Sequence, residues 1–243
     1  MLTRITDALI RIVYPRMCGS CGSPIERIGL GASCDDCWKR TRILTGFEPS
    51  CAKCGTLLGG SAATSAETST TLCGRCDNHS YDRVSSVGLY EKALKAEVLS
   101  LKTEPFLGRT AVSLLQSAVE RIVPKPEMLI PVPLSRRRLR ERGFNQAEVI
   151  AKGLGRVSGI DVCADALKRM THTPIHRAGM DSMAREATVR RAFVVEDSTQ
   201  VEGRHVLLID DVFTSGATSS QCARVLKIAG AKTVNVLTLA RTR

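Results

Sequence analysis

The sequence predicts an α/β protein: a mostly parallel sheet with helices on its faces over residues 81–243, behind a small cysteine-rich unit at residues 1–80. Three observations predict it. From Arg83 onward, apolar runs of strand length alternate with stretches of helical period, the pattern of a sheet covered on both faces. Eight of the ten cysteines fall in four C-x-x-C pairs before residue 77. Finally, the run VLLID at 206–210 ends in two adjacent acids and is followed at once by a turn of small residues. In parallel sheets that is where ligands bind, beyond the carboxyl ends of the strands.

At the N-terminus, Leu2, Ile5, Leu9, Ile12 and Val13 fall at helical spacing and predict a short amphipathic helix packed on the rest of the protein. Arg4, Asp7 and Arg11 interrupt this stretch, which makes it a poor signal peptide, and no run has the roughly 20 apolar residues of a membrane span. The expected location is cytoplasmic.

The pairs Cys18/Cys21, Cys34/Cys37, Cys51/Cys54 and Cys73/Cys76 have the spacing of tetrahedral thiolate sites, and without a secretory signal this favours structural Zn2+ over disulfides. Sequential pairing places Cys18, Cys21, Cys34 and Cys37 around one ion and Cys51, Cys54, Cys73 and Cys76 around a second; a cross-braced arrangement has the same spacings. Four thiolates leave no open position, so the two ions are expected to fold a segment too small for a core of its own. Gly22 and Gly55 suit the left-handed turn after a knuckle. His79 is expected at the surface, and the Gly-, Ser-, Thr- and Ala-rich stretch 55–72 as a flexible loop.

Net charge is +11; residues 1–80 hold nine Lys or Arg against seven Asp or Glu, so most of the basic excess lies beyond them. Eight thiolates and two Zn2+ would bring that first part to −2, which makes it a poor nucleic-acid binder by itself and suits docking on its neighbour or on a partner protein. The basic larger part suits a polyanionic ligand.

Within 81–243 the expected order is a strand at 84–90, helices at 92–101 and 106–122, a short buried strand at 128–133, a helix at 145–157, a strand at 205–210, a helix at 217–229 and a last strand at 232–240. Asp210 and Asp211 can accept hydrogen bonds from sugar hydroxyls. The N–H groups and hydroxyls of Thr214, Ser215, Gly216, Ala217 and Thr218 can face a phosphate at the start of the following helix. This combination suits a ribose 5-phosphate. The segment PVPLSRRRLRERGFNQ, 131–146, reads as a basic loop after a buried strand, and its arginine forks suit a pyrophosphate.

Residues 206–218 resemble the phosphoribosyl pyrophosphate signature of type I phosphoribosyltransferases, with Phe213 where an aliphatic residue is more usual. With the C-x-x-C pairs, Tyr90, Lys102 and PVPLSxxRLRERGFNQ, nearly the whole chain is similar to the ComF family of competence proteins. The resemblance implies a type I phosphoribosyltransferase-like sheet behind a double zinc ribbon, and transfer of ribose 5-phosphate with release of pyrophosphate. It implies Asp210, Asp211, Arg138 and Arg142 as catalytic residues, Ser135 beside the pyrophosphate, and Thr214 to Thr218 around the 5-phosphate. Mg2+ would bridge pyrophosphate and ribose oxygens. Implied partners are phosphoribosyl pyrophosphate, single-stranded DNA and other competence proteins; the alternative is a non-enzymatic factor that guides single-stranded DNA or binds partner proteins. Arg177 stands for a Gln of the family, and Arg185 with Thr188 for an R-x-x-N, so the acceptor is not identified.

His172 and His176 are spaced i,i+4, but Pro174 opposes the helix that would align them. Cys163 and Cys222 read as buried hydrophobes. Three Tyr, one Trp and five Phe are few for a base-stacking platform, which weighs against a dedicated single-strand binder.

Overall fold

The computed structural model describes residues 16–25, 29, 31–58, 71–170 and 192–243. The expected N-terminal helix, most of the 55–72 loop, and His172, His176, Arg177, Arg185 and Thr188 lie outside the described residues.

The sheet has five parallel strands, the longer ones built from apolar runs buried on both faces: β1 (Arg83–Leu89), β2 (Met128–Pro131), β3 (Asp161–Val162), β6 (His205–Phe213) and β7 (Thr233–Arg241), in the order β1-β7-β6-β2-β3. A small antiparallel pair, β4 (Lys168–Arg169) with β5 (Phe193–Val194), stands apart. On β6, Leu207 and Ile209 enter one core and Val206 and Leu208 the other; β7 repeats this with Leu237 and Leu239 against Val234 and Val236.

Helices α2 (Lys92–Ser100), α3 (Arg109–Glu120) and α5 (Gln146–Ser158) cover the first face, through Leu94, Leu115 and Ile150 among others. Helix α6 (Ala217–Ile228) covers the second through Cys222, Ala223 and Leu226. The chain therefore leaves β2 over one face, toward β3, and leaves β6 over the other, toward β7. A crevice opens where neighbouring strands part company in this way, between the carboxyl ends of β2 and β6.

The cysteine-rich segment clasps the β1 side of the sheet. Its first half, with the short helix α1 (Asp35–Lys39), places Cys18, Cys34, Cys37 and Trp38 in the first core. Its second half places Cys51, Cys54 and Cys76 in the second. Between them the chain runs along β1: Leu44 N donates to Val87 O at 2.8 Å, Leu89 N to Arg42 O at 3.0 Å and Val84 N to Lys53 O at 2.8 Å. Glu97 of α2, 1% exposed, accepts a hydrogen bond from Ala32 N at 2.6 Å, and burial pushes its carboxyl up to about 7.

Two expectations are corrected. The basic stretch after β2 is a helix, α4 (Arg136–Arg142): Ser135 Oγ caps it by accepting from Arg138 N at 3.3 Å, and Gly143, at φ 78°, ends it in a left-handed turn. The acidic strand also runs past its carboxylates to Phe213, because β7 offers backbone partners as far as Arg241.

Candidate ligand site and metal centres

The crevice is built from both of its walls. On the β6 wall, Asp210 Oδ1 accepts from Asp211 N at 2.9 Å and Asp211 Oδ1 from Val212 N at 2.8 Å, which fixes the two carboxyl groups beside one another. Burial, and then the Asp211 charge, push Asp210 above the usual carboxylate range. Such a pair takes up a cation or hydroxyl donors more readily than a second negative charge.

On the β2 wall, Val132 N donates to Ile209 O at 2.9 Å, and Asn145 Nδ2 donates to Val132 O at 3.1 Å. Asn145 also caps α5 through Ala147 N at 3.1 Å, so the first turn of that helix is held over the crevice. Gln146 then projects across it: Nε2 donates to Asp211 Oδ2 at 3.2 Å, while Oε1 is buried without a hydrogen-bond partner. Arg142 Nη1 is likewise buried and unpartnered. The orphaned Gln146 Oε1, on a side chain bonded to one of the two acids, leaves a polar acceptor for a ligand carrying hydroxyl groups.

The arginines of α4 are not equivalent. Arg142 is half-buried, whereas Arg136, Arg137, Arg138 and Arg140 are exposed, and Arg137 pairs with Glu141 at 2.7 Å. Ser135 Oγ is engaged by its own helix.

Beyond β6, Thr214, Ser215, Ala217 and Thr218 are exposed around the start of α6, whose N-cap is Gly216 at φ 78°. That backbone conformation alone favours glycine. Space adds a second reason that the sequence did not suggest: a Cβ at Gly216 would lie 2.7 Å from Phe213 Cζ and 2.8 Å from the Tyr81 hydroxyl. The residue packs against the protein beneath the turn.

The eight cysteines gather sequentially, Cys18, Cys21, Cys34 and Cys37 in one cluster and Cys51, Cys54, Cys73 and Cys76 in the other, which removes the cross-braced alternative. Sulfur separations of 3.7 Å for Cys21/Cys34, 3.6 Å for Cys51/Cys76 and 3.5 Å for Cys54/Cys73 match the roughly 3.8 Å edge of a zinc–thiolate tetrahedron. The donor chemistry agrees. In the second cluster, burial and then the Cys51 and Cys73 sulfurs raise the Cys76 thiol, whereas Cys51, against the same burial, is held low by backbone N–H groups of Cys54, Lys53 and Cys73. Four thiolates so close together need a dication to coexist. Gly22 and Gly55 take φ of 76° and 69°, as their places after the knuckles require.

His79 is not the surface residue expected. It is half-buried, Nδ1 lies 2.5 Å from the Tyr81 hydroxyl, and burial, then the charge of Lys53, lower its basicity. Cys222 is fully buried, as expected, and Cys163 partly so. Gln146 is the site residue that a local reading of the sequence does not single out.

Fold and site together define a class: a double ribbon of two four-cysteine centres clasped to an open parallel sheet, with paired acids and a glycine-capped helix start along its crevice. The double zinc ribbon domain family matches residues 9–77, and Competence protein F of Haemophilus influenzae is 30% identical over 218 residues, 86% of this chain and 90% of that protein. The chain belongs to the ComF family of competence proteins. Competence protein ComFC of Bacillus subtilis is 32% identical over 132 residues, 52% of this chain and 50% of that protein. A solved glutamine phosphoribosylpyrophosphate amidotransferase from B. subtilis superposes on 54% of this chain and 25% of its own, at 21% identity and a TM-score of 0.39, too slight a likeness to rest anything on. Among the described residues, no helix is long and apolar enough to cross a membrane.

Proposed function

We propose that the crevice binds phosphoribosyl pyrophosphate and transfers its ribose 5-phosphate to an acceptor with release of pyrophosphate, residues 81–243 carrying the reaction and residues 1–80 bracing them. The observation that carries this reading is the pairing of Asp210 and Asp211 at the carboxyl end of β6, with Gln146 reaching Asp211 from the segment that follows β2. Asp210 and Asp211 accept hydrogen bonds from the ribose hydroxyls. The turn from Thr214 to Thr218 meets the 5-phosphate with backbone N–H groups and hydroxyls at the start of α6, where the helix dipole favours an anion. Arg142, assisted by Arg138, stabilises the charge leaving with pyrophosphate, an electrostatic contribution that grows as the sugar becomes oxocarbenium-like. Asp210 and Asp211 offer the hard oxygens that Mg2+ takes, and the ion would neutralise the leaving group.

A second reading has its own support: Arg136, Arg137, Arg138 and Arg140 are exposed on α4, a basic face suited to backbone phosphates of single-stranded DNA. On that reading the protein guides DNA or meets other competence proteins without turnover.

Calorimetry with phosphoribosyl pyrophosphate and Mg2+ separates the two, together with pyrophosphate release across candidate bases and amines. Asp210→Asn with Asp211→Asn is expected to abolish binding in a folded protein, each lost charge-assisted bond costing about 1.5–3 kcal/mol. Unchanged affinity in the folded double variant refutes the assignment.

A further inference from the structure

We propose that Arg241 is a positioning residue that locks the 214–218 turn to the second cysteine cluster, so that the turn's hold on a phosphate depends on the metal in that cluster. This rests on the phosphate role proposed above for the turn.

Arg241 closes β7 opposite Phe213 and is 4% exposed. Its guanidinium is engaged by two elements. Toward the ribbon, Nη1 donates to the Cys54 carbonyl at 2.7 Å and Nη2 to Thr56 Oγ1 at 2.8 Å. Toward the sheet, the cation lies over the Phe213 ring, 5.4 Å from its centroid. The Cys54 carbonyl belongs to a knuckle turn that exists in this shape because its thiol is held with Cys51, Cys73 and Cys76. Arginine is required here, because only a planar fork satisfies two acceptors while stacking on a ring.

Phe213 passes the constraint on. Its ring lies directly beneath Gly216 and meets Tyr81 edge-on at 6.0 Å. Tyr81, 1% exposed, stands five residues after Cys76 and fills the other side of the Gly216 site. Between them, Ser80 N donates to Ser220 Oγ of α6 at 3.0 Å. The turn is therefore clamped twice by chain that the second cluster organises, once by the knuckle through Arg241 and Phe213, and once by the segment leaving Cys76 through Ser80 and Tyr81. Thr214, Ser215, Ala217 and Thr218 are themselves exposed, so this platform is what fixes them. Loosening it raises the population of locally open turn without unfolding the sheet. Phe213, unusual beside the aliphatic residue of the signature, is the piece that makes the link.

The test uses the full chain carrying Arg241→Met, with zinc content, hydrogen exchange and calorimetry measured together. The expected result is two zinc ions retained, exchange at 213–220 accelerated about tenfold with that at 146–158 unchanged, and affinity for phosphoribosyl pyrophosphate with Mg2+ reduced about tenfold. Arg241→Lys should not rescue it. Full zinc content with native exchange at 213–220 overturns the proposal. If Arg241→Met does not fold, Thr56→Val removes one acceptor from a half-buried site, and native exchange at 213–220 in that variant overturns it equally. Accelerated exchange in a protein whose parent does not bind phosphoribosyl pyrophosphate upholds the linkage and removes the ligand reading instead.

Discussion

Gln146 Nε2 donates to Asp211 Oδ2 across 3.2 Å, so the first residue of α5 holds the acid on the opposite wall of the crevice. A carboxylate only accepts hydrogen bonds, so the amide must turn its nitrogen toward Asp211, which leaves Oε1 buried and facing elsewhere. The pair joins the strand that carries the acids to the segment that carries Arg142.

Gln146→Met keeps the length of the side chain and removes both polar atoms. Asp211 then loses the Gln146 hydrogen bond, and affinity for phosphoribosyl pyrophosphate with Mg2+ is expected to fall about tenfold, as the loss of one hydrogen bond to a charged group implies. Calorimetry checks this, with circular dichroism to confirm the fold; native affinity in a folded variant contradicts it.

Arg138 and Arg142 should separate. Arg142→Ala is expected to cost about 1.5–3 kcal/mol of pyrophosphate or phosphoribosyl pyrophosphate binding, while Arg138→Ala, at an exposed position, stays within about 1 kcal/mol. Equal losses would place the ligand on the outer face of α4. For single-stranded DNA, binding is expected to be weak. If it occurs through both arginines, the double variant should flatten the log–log salt dependence by about 1.4, from about 0.7 per phosphate.

Metal analysis of protein purified without chelator should give two zinc ions per chain. Chelation should unfold the ribbon, because binding at each such site supplies on the order of 10–16 kcal/mol that folding uses. One ion or none would contradict the assignment of two four-thiolate centres.

Glu97 predicts a pH dependence of stability. Burial raises its carboxyl from 4.5 to about 7, so the folded protein binds this proton more tightly than the unfolded chain does. The resulting stabilisation is complete below 4.5 and is lost as pH rises through about 7. Glu97→Gln, which keeps an acceptor for Ala32 N, should flatten this dependence and stabilise the protein above about pH 7 by at most roughly 3 kcal/mol. Denaturant unfolding at several pH values reads it, and parallel curves for variant and parent would remove Glu97 as the cause.

Much of this was legible in the sequence, for reasons that vary by element. The four longer strands announce themselves because their apolar runs serve both faces, and the acids because two carboxylates after VLLI have no place in a core; the two-residue β3, β4 and β5 are too short to carry such a signal and are absent from the expected order. Helix α4 reads as a loop in the sequence because five arginines and one leucine leave no apolar stripe. Its caps, Ser135 and Gly143, were the available signal. The sequential pairing of cysteines and the reach of Gln146 to Asp211, 65 positions away, depend on how the sheet is ordered. So does Arg241, a terminal-looking arginine whose partners lie 187 and 185 positions earlier.

The chain from Arg42 to Lys53 does more than connect two metal knuckles. By taking up the outer hydrogen-bonding groups of β1 at Val84, Val87 and Leu89, it hides the margin of the sheet that another copy would otherwise extend. A shortened protein beginning near Arg83 would expose that margin as an adhesive strand, and its failure would be self-association rather than simple loss of activity. The cysteine-rich segment thus shields an edge that would otherwise be open to pairing with another strand.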